Sequence, residues 1–453
     1  MEALARHSQT GIYISALPQT IRDAIQVTRH LQVRLLWVDS LCIVQDDADE
    51  LAREMANMSS YYGNSLVTIS ASAAKSAAEG FLRPFSDTPY DRQQDSFELP
   101  FRFSDTARGY VRLLPPRTAC SEAIDSRAWT LQESLTSTRL VSFGRDTISW
   151  SCLSEHHGEV KLGRLRQLFR ECKARLFRPW IWSDRLPTSS DVRHSAGVAY
   201  MDIWNEIVCE YCDRHLSDPA DGLAAISGIA YDFSAAVQST MELFEPQDPG
   251  IPEYLAGLCC YPHLPHQLYL PHQLLWQPRE PLGNTPRHVY VAPSWSWAAA
   301  RAPLRRYDKG VYLRWITGMQ DPTPFNVESS NLELSNASAP YGALESGYLM
   351  VRGRTCTTDA SSVHLRKLDD IQIFLDVGGR SADPDFLSWF SQNMGDVPLT
   401  LLGVARVPYT AKTGDIFPRG LVLSKNEDGS YRRLGLYTGS TPESWETATL
   451  KLV

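Results

Sequence analysis

The stretch Leu36-Trp37-Val38-Asp39-Ser40-Leu41-Cys42-Ile43-Val44-Gln45-Asp46-Asp47 decides how the first third of this 453-residue chain is read. Residues 35–38 form a short apolar run, the pattern of a buried strand, and the run ends in a cluster of polar groups. Upstream, Pro18 and Thr20 suit a helix start, and Ile21, Ala24, Ile25 and Leu31 recur at helical spacing, so residues 18–31 read as a helix. Downstream, Asp47 and Asp49 fall where a first helical turn favours negative charge. Leu51, Met55, Met58 and Tyr62 then mark one helix face, with Asn64 as its cap, and residues 66–71 read as a second strand. A strand–helix–strand unit of this kind implies parallel strands and a right-handed crossover. Ligands of such sheets sit beyond the carboxyl ends of the strands, where Asp39 to Cys42 fall.

A second stretch, Arg127-Ala128-Trp129-Thr130-Leu131-Gln132-Glu133, again joins an apolar element to polar groups. Residues 129–135 read as a short helix, and residues 139–143 and 147–152 as a hairpin turning at Gly144-Arg145-Asp146. Between the two stretches, residues 83–126 carry several prolines and read as a long irregular insertion. Residues 162–177 suggest a basic helix, with Arg164, Arg166, Arg170, Lys173 and Arg175 on a solvated face. Residues 204–215 look helical, residues 222–237 suit a packed core helix, and residues 246–252 form a turn-rich break. From about His288 the pattern changes to short strands and turns (residues 348–351, 371–375, 399–407 and 421–423), as expected of antiparallel β-structure. The expected organisation is an α/β domain over residues 1–155, a helical region over 156–285 and a β-rich region over 286–453.

Composition excludes several classes of function. With 44 basic against 52 acidic residues the net charge is −8, which disfavours nucleic acid and anionic membranes as partners. No apolar run is long enough to span a bilayer, and Met1-Glu2-Ala3-Leu4-Ala5-Arg6-His7 is not a secretory signal. The nine cysteines are odd in number and scattered, and Cys42 and Cys152 have apolar sequence neighbours. Reduced thiols in a cytosolic protein are expected. The chain holds neither a phosphate-binding Gly-x-x-x-x-Gly-Lys loop nor a Gly-x-Gly-x-x-Gly run.

Among the polar groups Glu133 is the first catalytic candidate. Beside Gln132 and near Trp129 its carboxylate would be partly desolvated, which suits proton transfer or oxocarbenium stabilisation; the same residues also read as an Arg127–Glu133 ion pair. Asp39 suits the orientation of a ribose hydroxyl or a partner side chain, and equally the capping of its own turn. Cys42 has a nucleophile's chemistry but no neighbouring His in sequence, which favours a buried structural thiol. The amides of Gln45 and Gln132 suit ligand reading or loop cross-linking. Asp39, Gln45, Gln132 and Glu133 are expected to line one pocket, with Cys42, Asp46, Arg127 and Trp129 around it. Cys209, Cys212 and His215, and Cys259, Cys260, His263 and His266, lack a second ligand pair at zinc spacing, so no metal site is expected. Ser294-Trp295-Ser296-Trp297 reads as a strand with both Trp on a core face.

The two quoted stretches resemble two signature blocks of the fungal heterokaryon incompatibility (HET) domain. The segment from Met58, Tyr61 and Tyr62 to Gly80-Phe81 is similar as well. So are the later Leu223-Ala224-Ala225-Ile226-Ser227-Gly228, Tyr254-Leu255-Ala256-Gly257-Leu258, Pro293-Ser294-Trp295-Ser296-Trp297-Ala298 and Arg432-Arg433-Leu434-Gly435. The family's opening block, aromatic-x-x-Leu-Ser-Tyr-x-Trp-Gly, has no counterpart upstream of Leu17-Pro18. The resemblance therefore implies a late start or a sheet without its first strand. It also implies a parallel sheet of Toll/interleukin-1 receptor (TIR)-like or flavodoxin-like type, and a role in non-self recognition or programmed cell death. Since some TIR domains hydrolyse NAD with a single glutamate, it further implies Glu133 as a catalytic residue and NAD as a substrate rather than a cofactor. The alternatives are a family member recruited to secondary metabolism and a catalytically inactive interaction module. Either a protein partner or a small molecule fits, and the oligomeric state is not readable from sequence.

Overall fold

The computed structural model describes residues 9–82, 97–102, 108–113, 122–145, 147–152, 156–157, 163–173, 189–244, 253–260, 266–280, 290–300, 302–305, 325–359, 372–376, 379–380, 398–408, 416–438 and 445–453. The expected break at residues 246–252 lies outside them. The fold is mixed α/β: a small sheet with one parallel pair, a helical layer, and a large β-rich unit.

Helix α1 (Gln19–His30) follows Pro18, close to its expected limits. Its Asp23 is buried and accepts hydrogen bonds from the amides of Phe81 (2.7 Å) and Leu82 (3.0 Å) and from Gln19 Nε2 (2.6 Å). Gly80 has φ +72°, and a Cβ there would lie 2.5 Å from Asp23 Oδ2, so the loop closes on the carboxylate only with glycine. Burial alone would raise the Asp23 pKa, but the two amides, Gln19 and the Arg22 charge outweigh it and hold the carboxyl below its ordinary value. A depressed carboxylate contributes stability above its unfolded pKa and loses it as pH falls through the folded value. Asp23→Ala is therefore expected to cost roughly 2 kcal/mol at pH 7, with the difference shrinking in acid, as urea unfolding at the two pH values would show.

Helix α2 (Asp39–Cys42) is a single turn, and α3 (Ala48–Asn64) starts where Asp47 accepts from the amides of Asp49 and Glu50. Strand β1 (Thr68–Ser70) falls within the expected second strand. Residues 35–38, in contrast, pair with no strand among the described residues, and Leu35 is 87% exposed. An apolar run shows that a segment can extend, but a ladder needs a neighbour to complete its hydrogen bonds, and the sequence does not name one. The parallel partner of β1 is instead β4 (Leu140–Phe143), far along the chain. Between them, β2 (Phe97–Arg102) and β3 (Arg108–Leu113) form a hairpin inside the segment expected to be irregular. Strands β5 (Ile148–Ser151) and β6 (His156–His157) complete the sheet in the order β1-β4-β5-β6. The β4–β5 hairpin forms where it is expected, with Phe143 opposite Ile148 and Leu140 opposite Ser151.

Helix α4 (Trp129–Thr136) carries Glu133 and is buried by later elements. The basic helix α5 (Gly163–Lys173) corrects the expectation of a solvated face: Arg166 and Arg170 are buried. The Arg166 guanidinium donates to the carbonyls of Ser134 and Ser137, and that of Arg170 to those of Ser137 and Cys152. A helix end leaves its last carbonyls without intrahelical partners, and cations there are favoured by the helix dipole. The two arginines thus cap α4 rather than face water.

Helices α6 (Ser189–Cys212) and α7 (Ala224–Phe244) pack the middle of the molecule. Gly228 of α7 sits at the junction with α3 and α4, its amide donating to Gln132 Oε1 at 2.9 Å. A Cβ on Gly228 would lie 2.8 Å from Ser59 Cβ and 2.9 Å from Gln132 Cδ. Gly228→Val is expected to lose roughly 1–3 kcal/mol through overpacking, read as a fall in Tm.

Strands β7 (Glu253–Leu255) and β8 (Leu258–Cys260) are joined by Ala256 (φ +47°) and Gly257 (φ +97°), the left-handed pair of a tight hairpin turn. The indoles of Trp204 and Trp297 both donate to the Gly257 carbonyl, at 3.0 and 2.9 Å. Trp295 and Trp297 are buried as expected, but they lie on a turn and a short 3-10 helix (Trp297–Ala299), not a strand. Ser296 caps the 3-10 helix by accepting from the Ala298 amide with its own side chain.

Helix α8 (His266–Gln273) is followed, from residue 326 on, by β-structure among the described residues. Its strands are β9 (Asn326–Leu334), β10 (Leu344–Asp359), β11 (Gln372–Leu375), β12 (Gly379–Arg380), β13 (Pro398–Pro408), β14 (Ile416–Lys425), β15 (Tyr431–Thr438) and β16 (Glu446–Leu452). Their order is β12-β11-β15-β14-β13-β10-β16, with β9 on β10, and β16 pairs back to β15 through Tyr431 and Leu452. That last pairing closes part of the sheet on itself. Apart from this parallel contact the pairings are antiparallel, as expected. Both faces are covered: Leu402, Val404, Leu421 and Leu423 join the main core, while Leu399, Leu401, Val422 and Tyr437 pack with Trp445. The main core runs continuously from Ala128 to Leu452, so helical and β-rich regions share it. Among the described residues no helix is long and apolar enough to cross a membrane.

Candidate functional site

Glu133 lies on the face of α4 that meets α2 and α3. Tyr62, near the end of α3, shares a hydrogen bond with it, and Asp39, which opens α2, and Arg127, just before α4, are close enough for their charges to act on it. Burial of the Glu133 side chain, which keeps only a minor part of its surface in contact with solvent, together with the Asp39 charge, pushes its carboxyl up to about 7, against the opposing pull of Arg127, the Tyr62 hydrogen bond and Arg214. The Tyr62 phenol is held protonated, first by its burial and then by the charges of Glu133 and Asp39. It therefore donates to Glu133. Trp37 completes an aromatic wall, stacked on Tyr61 (5.0 Å between centroids) and edge-on to Tyr62 (5.8 Å). Tyr61 in turn donates its hydroxyl to Glu54.

This arrangement offers a carboxyl group that gains and loses a proton near neutrality, next to a second carboxylate, a guanidinium and flat aromatic surface. General acid–base chemistry is most efficient when the group titrates near the working pH.

The sequence candidates divide. Asp39 is exposed beside Glu133 and also accepts from the Ser40 amide at 2.7 Å, so it holds its own turn as well. Gln45 spends its amide on the carbonyls of Ile43 (3.0 Å) and Asp39 (3.3 Å), which shapes the loop after α2. Asp46 is exposed further along that loop. Gln132 turns away from Glu133: it is fully buried against Gly228 and does not line the expected shared pocket. On a helix, adjacent residues point in different directions, so the pair cannot face one cavity. Trp129 donates to Asp221 Oδ2 at 3.2 Å and braces the helical layer. Cys42 was expected to be a buried thiol and is exposed, because the single turn of α2 presents Ile43 to the core instead. Cys209 is buried and Cys212 half-buried within α6. Among the described residues no group of three or more His, Cys, Asp or Glu is gathered as for a metal ion.

In the sequence Tyr62 marks a helix face and belongs to the family-like segment, and Trp37 stands in the first quoted stretch, but neither is marked there as a site residue, and nothing points to Arg214. The adjacent Tyr61-Tyr62 pair was the available signal, since a buried phenol needs a partner for its hydroxyl.

Residues 2–133 match the family model described as Heterokaryon incompatibility protein (HET). The chain carries a heterokaryon incompatibility domain. No curated protein and no solved structure matches the chain. The HET match contains Trp37, Asp39, Tyr62, Arg127 and Glu133, while Arg214 and Gly228, which support the same helix, lie beyond it.

Proposed function

We propose that this protein is a cytosolic effector of heterokaryon incompatibility, acting in non-self recognition or programmed cell death through a hydrolytic HET domain. The observation that carries the reading is the placement of the buried Glu133 carboxyl beside Asp39, Tyr62 and Arg127, where burial and the Asp39 charge push it up to about 7. The sheet with its β1–β4 parallel pair and covering helices is compatible with a TIR-like arrangement, and NAD is the first substrate to test.

In that reaction the bond between nicotinamide and ribose breaks, and nicotinamide leaves with the bonding electron pair. A water oxygen bonds to the anomeric carbon, and its proton passes to the ionised Glu133. Asp39 orients a ribose hydroxyl, and Trp37 and Tyr62 supply the aromatic wall. Nicotinamide release is measured for wild type and Glu133→Gln side by side. Release by wild type alone supports the reading. The absence of release from folded wild type at high concentration refutes NAD hydrolysis in favour of protein interaction or a different small-molecule chemistry.

A further inference from the structure

We infer that Arg214, outside the matched HET domain, is a positioning residue of the Glu133 site, so that the helical region completes the site which the HET domain begins. This rests on Glu133 being the acting group. Arg214 follows α6 directly, and its side chain is 2% exposed. One guanidinium nitrogen donates to the Arg127 carbonyl (3.2 Å) and to Thr130 Oγ1 (3.0 Å), and the other meets Glu210 Oε1 at 3.2 Å. The next residue, His215, accepts from the Ala128 amide at 2.9 Å and donates its own amide to the Ser126 carbonyl at 2.7 Å. Arg214 and His215 thus hold the backbone that leads into α4 and the first turn of the helix, one turn before Glu133.

The sign of the charge is the unusual part. The N-terminal end of a helix carries positive partial charge and favours anions, so a guanidinium is disfavoured there on structural grounds alone. A neutral hydroxyl or amide would grip the same carbonyl without that repulsion. The buried cation is compensated by Glu210 on one side and by the charge of Glu133 on the other. The groups facing Glu133 are Asp39 from α2, Tyr62 from α3, Arg127 ahead of α4, and Arg214. Burial and Asp39 favour its protonated form, and Arg214 is the one opposing cation contributed from beyond the HET match.

The test follows the ionisation of Glu133 itself, in full-length protein carrying carboxyl-13C glutamate, with the signal assigned by its loss in Glu133→Gln. In Arg214→Met the midpoint is expected to rise so that the carboxyl binds its proton roughly tenfold more tightly, a shift of about one pH unit. Arg214→Lys, which keeps the charge, restores most of the wild-type midpoint. Folded Arg214→Met with the wild-type midpoint overturns the inference. Should Arg214→Met not fold, Glu210→Gln decides: removing the neutralising carboxylate lets Arg214 act more strongly, so the midpoint falls, and an unchanged midpoint overturns the inference. Because the readout is ionisation, lack of NAD hydrolysis would refute that substrate while leaving the coupling of Arg214 to Glu133 to be decided by the midpoint alone.

Discussion

In the proposed hydrolysis Glu133→Gln is expected to lower turnover by about 10²–10⁴-fold and, at the same time, to make the protein more stable above neutral pH. The substitution keeps the shape of the side chain and its capacity to accept from Tyr62, but it removes the titrating proton. The stability effect follows from linkage. The Glu133 carboxyl is raised to about 7 in the folded protein, chiefly by burial and then by Asp39, against about 4.3 for an unperturbed glutamate. A raised acid is neutral in both states below its unfolded pKa, where it costs nothing. As pH climbs from about 4 through 7 the unfolded chain ionises first, and the folded state loses stability relative to it, by up to about 4 kcal/mol once both are ionised. Gln carries no such penalty. Urea unfolding at pH 8 is therefore expected to find Glu133→Gln more stable than wild type, and unfolding at pH 4 to find the two alike. Equal stability at both pH values would refute the burial of this charge, whatever the activity assay shows. Loss of function combined with gain of stability is the signature of a residue kept for chemistry rather than for the fold.

Arg433→Met is expected to destabilise the protein by roughly 3–5 kcal/mol, because it breaks a buried ion pair and leaves its partner uncompensated. The Arg433 side chain is 1% exposed; its Nε meets Asp376 Oδ2 at 2.9 Å and one terminal nitrogen meets Oδ1 at 3.2 Å. The same guanidinium donates to the carbonyls of Leu274 and Trp276, each at 2.5 Å, and lies over the Trp276 ring at 3.4 Å. One side chain therefore ties β15 to the residue after β11 and to the segment following α8. Lysine does not substitute for it, since a point charge cannot make the forked contact and the ring contact together. Denaturant titration of Arg433→Met, Asp376→Leu and the double variant gives the coupling. The double variant is expected to be more stable than Arg433→Met alone, as it no longer buries an unpaired carboxylate. Additive losses would show that the carbonyl and ring contacts carry the effect instead.

Local elements were legible wherever a short-range physical rule governs them. Helices α1 and α3 followed from apolar spacing, the α3 start from the acidic Asp47 and Asp49, and the β4–β5 hairpin from its turn residues, although Asp47 is the cap itself and not part of the first turn. The antiparallel character of the C-terminal region followed from its short alternating runs. These features depend on neighbours a few residues apart, which the sequence states directly. Partner choice is different. Residues 35–38 had the pattern of a strand and found no ladder among the described residues, while β1 paired with β4 across a long insertion. Arg166 and Arg170 looked solvated and proved to be caps, because which face of α5 meets the end of α4 depends on where both helices dock. The site itself shows the same division. Its type, a carboxylate beside polar groups at the ends of two apolar elements, could be read from residues 36–47 and 127–133. Its membership was decided by three-dimensional approach: Tyr62 and Arg214 come to Glu133, while Gln132, its neighbour in sequence, is carried away by the turn of the helix to meet Gly228. Sequence alone determines what each short segment can form and which side chains bear chemistry; burial and long-range docking decide which of those side chains meet, because the energies that select partners come from surfaces brought together from distant parts of the chain.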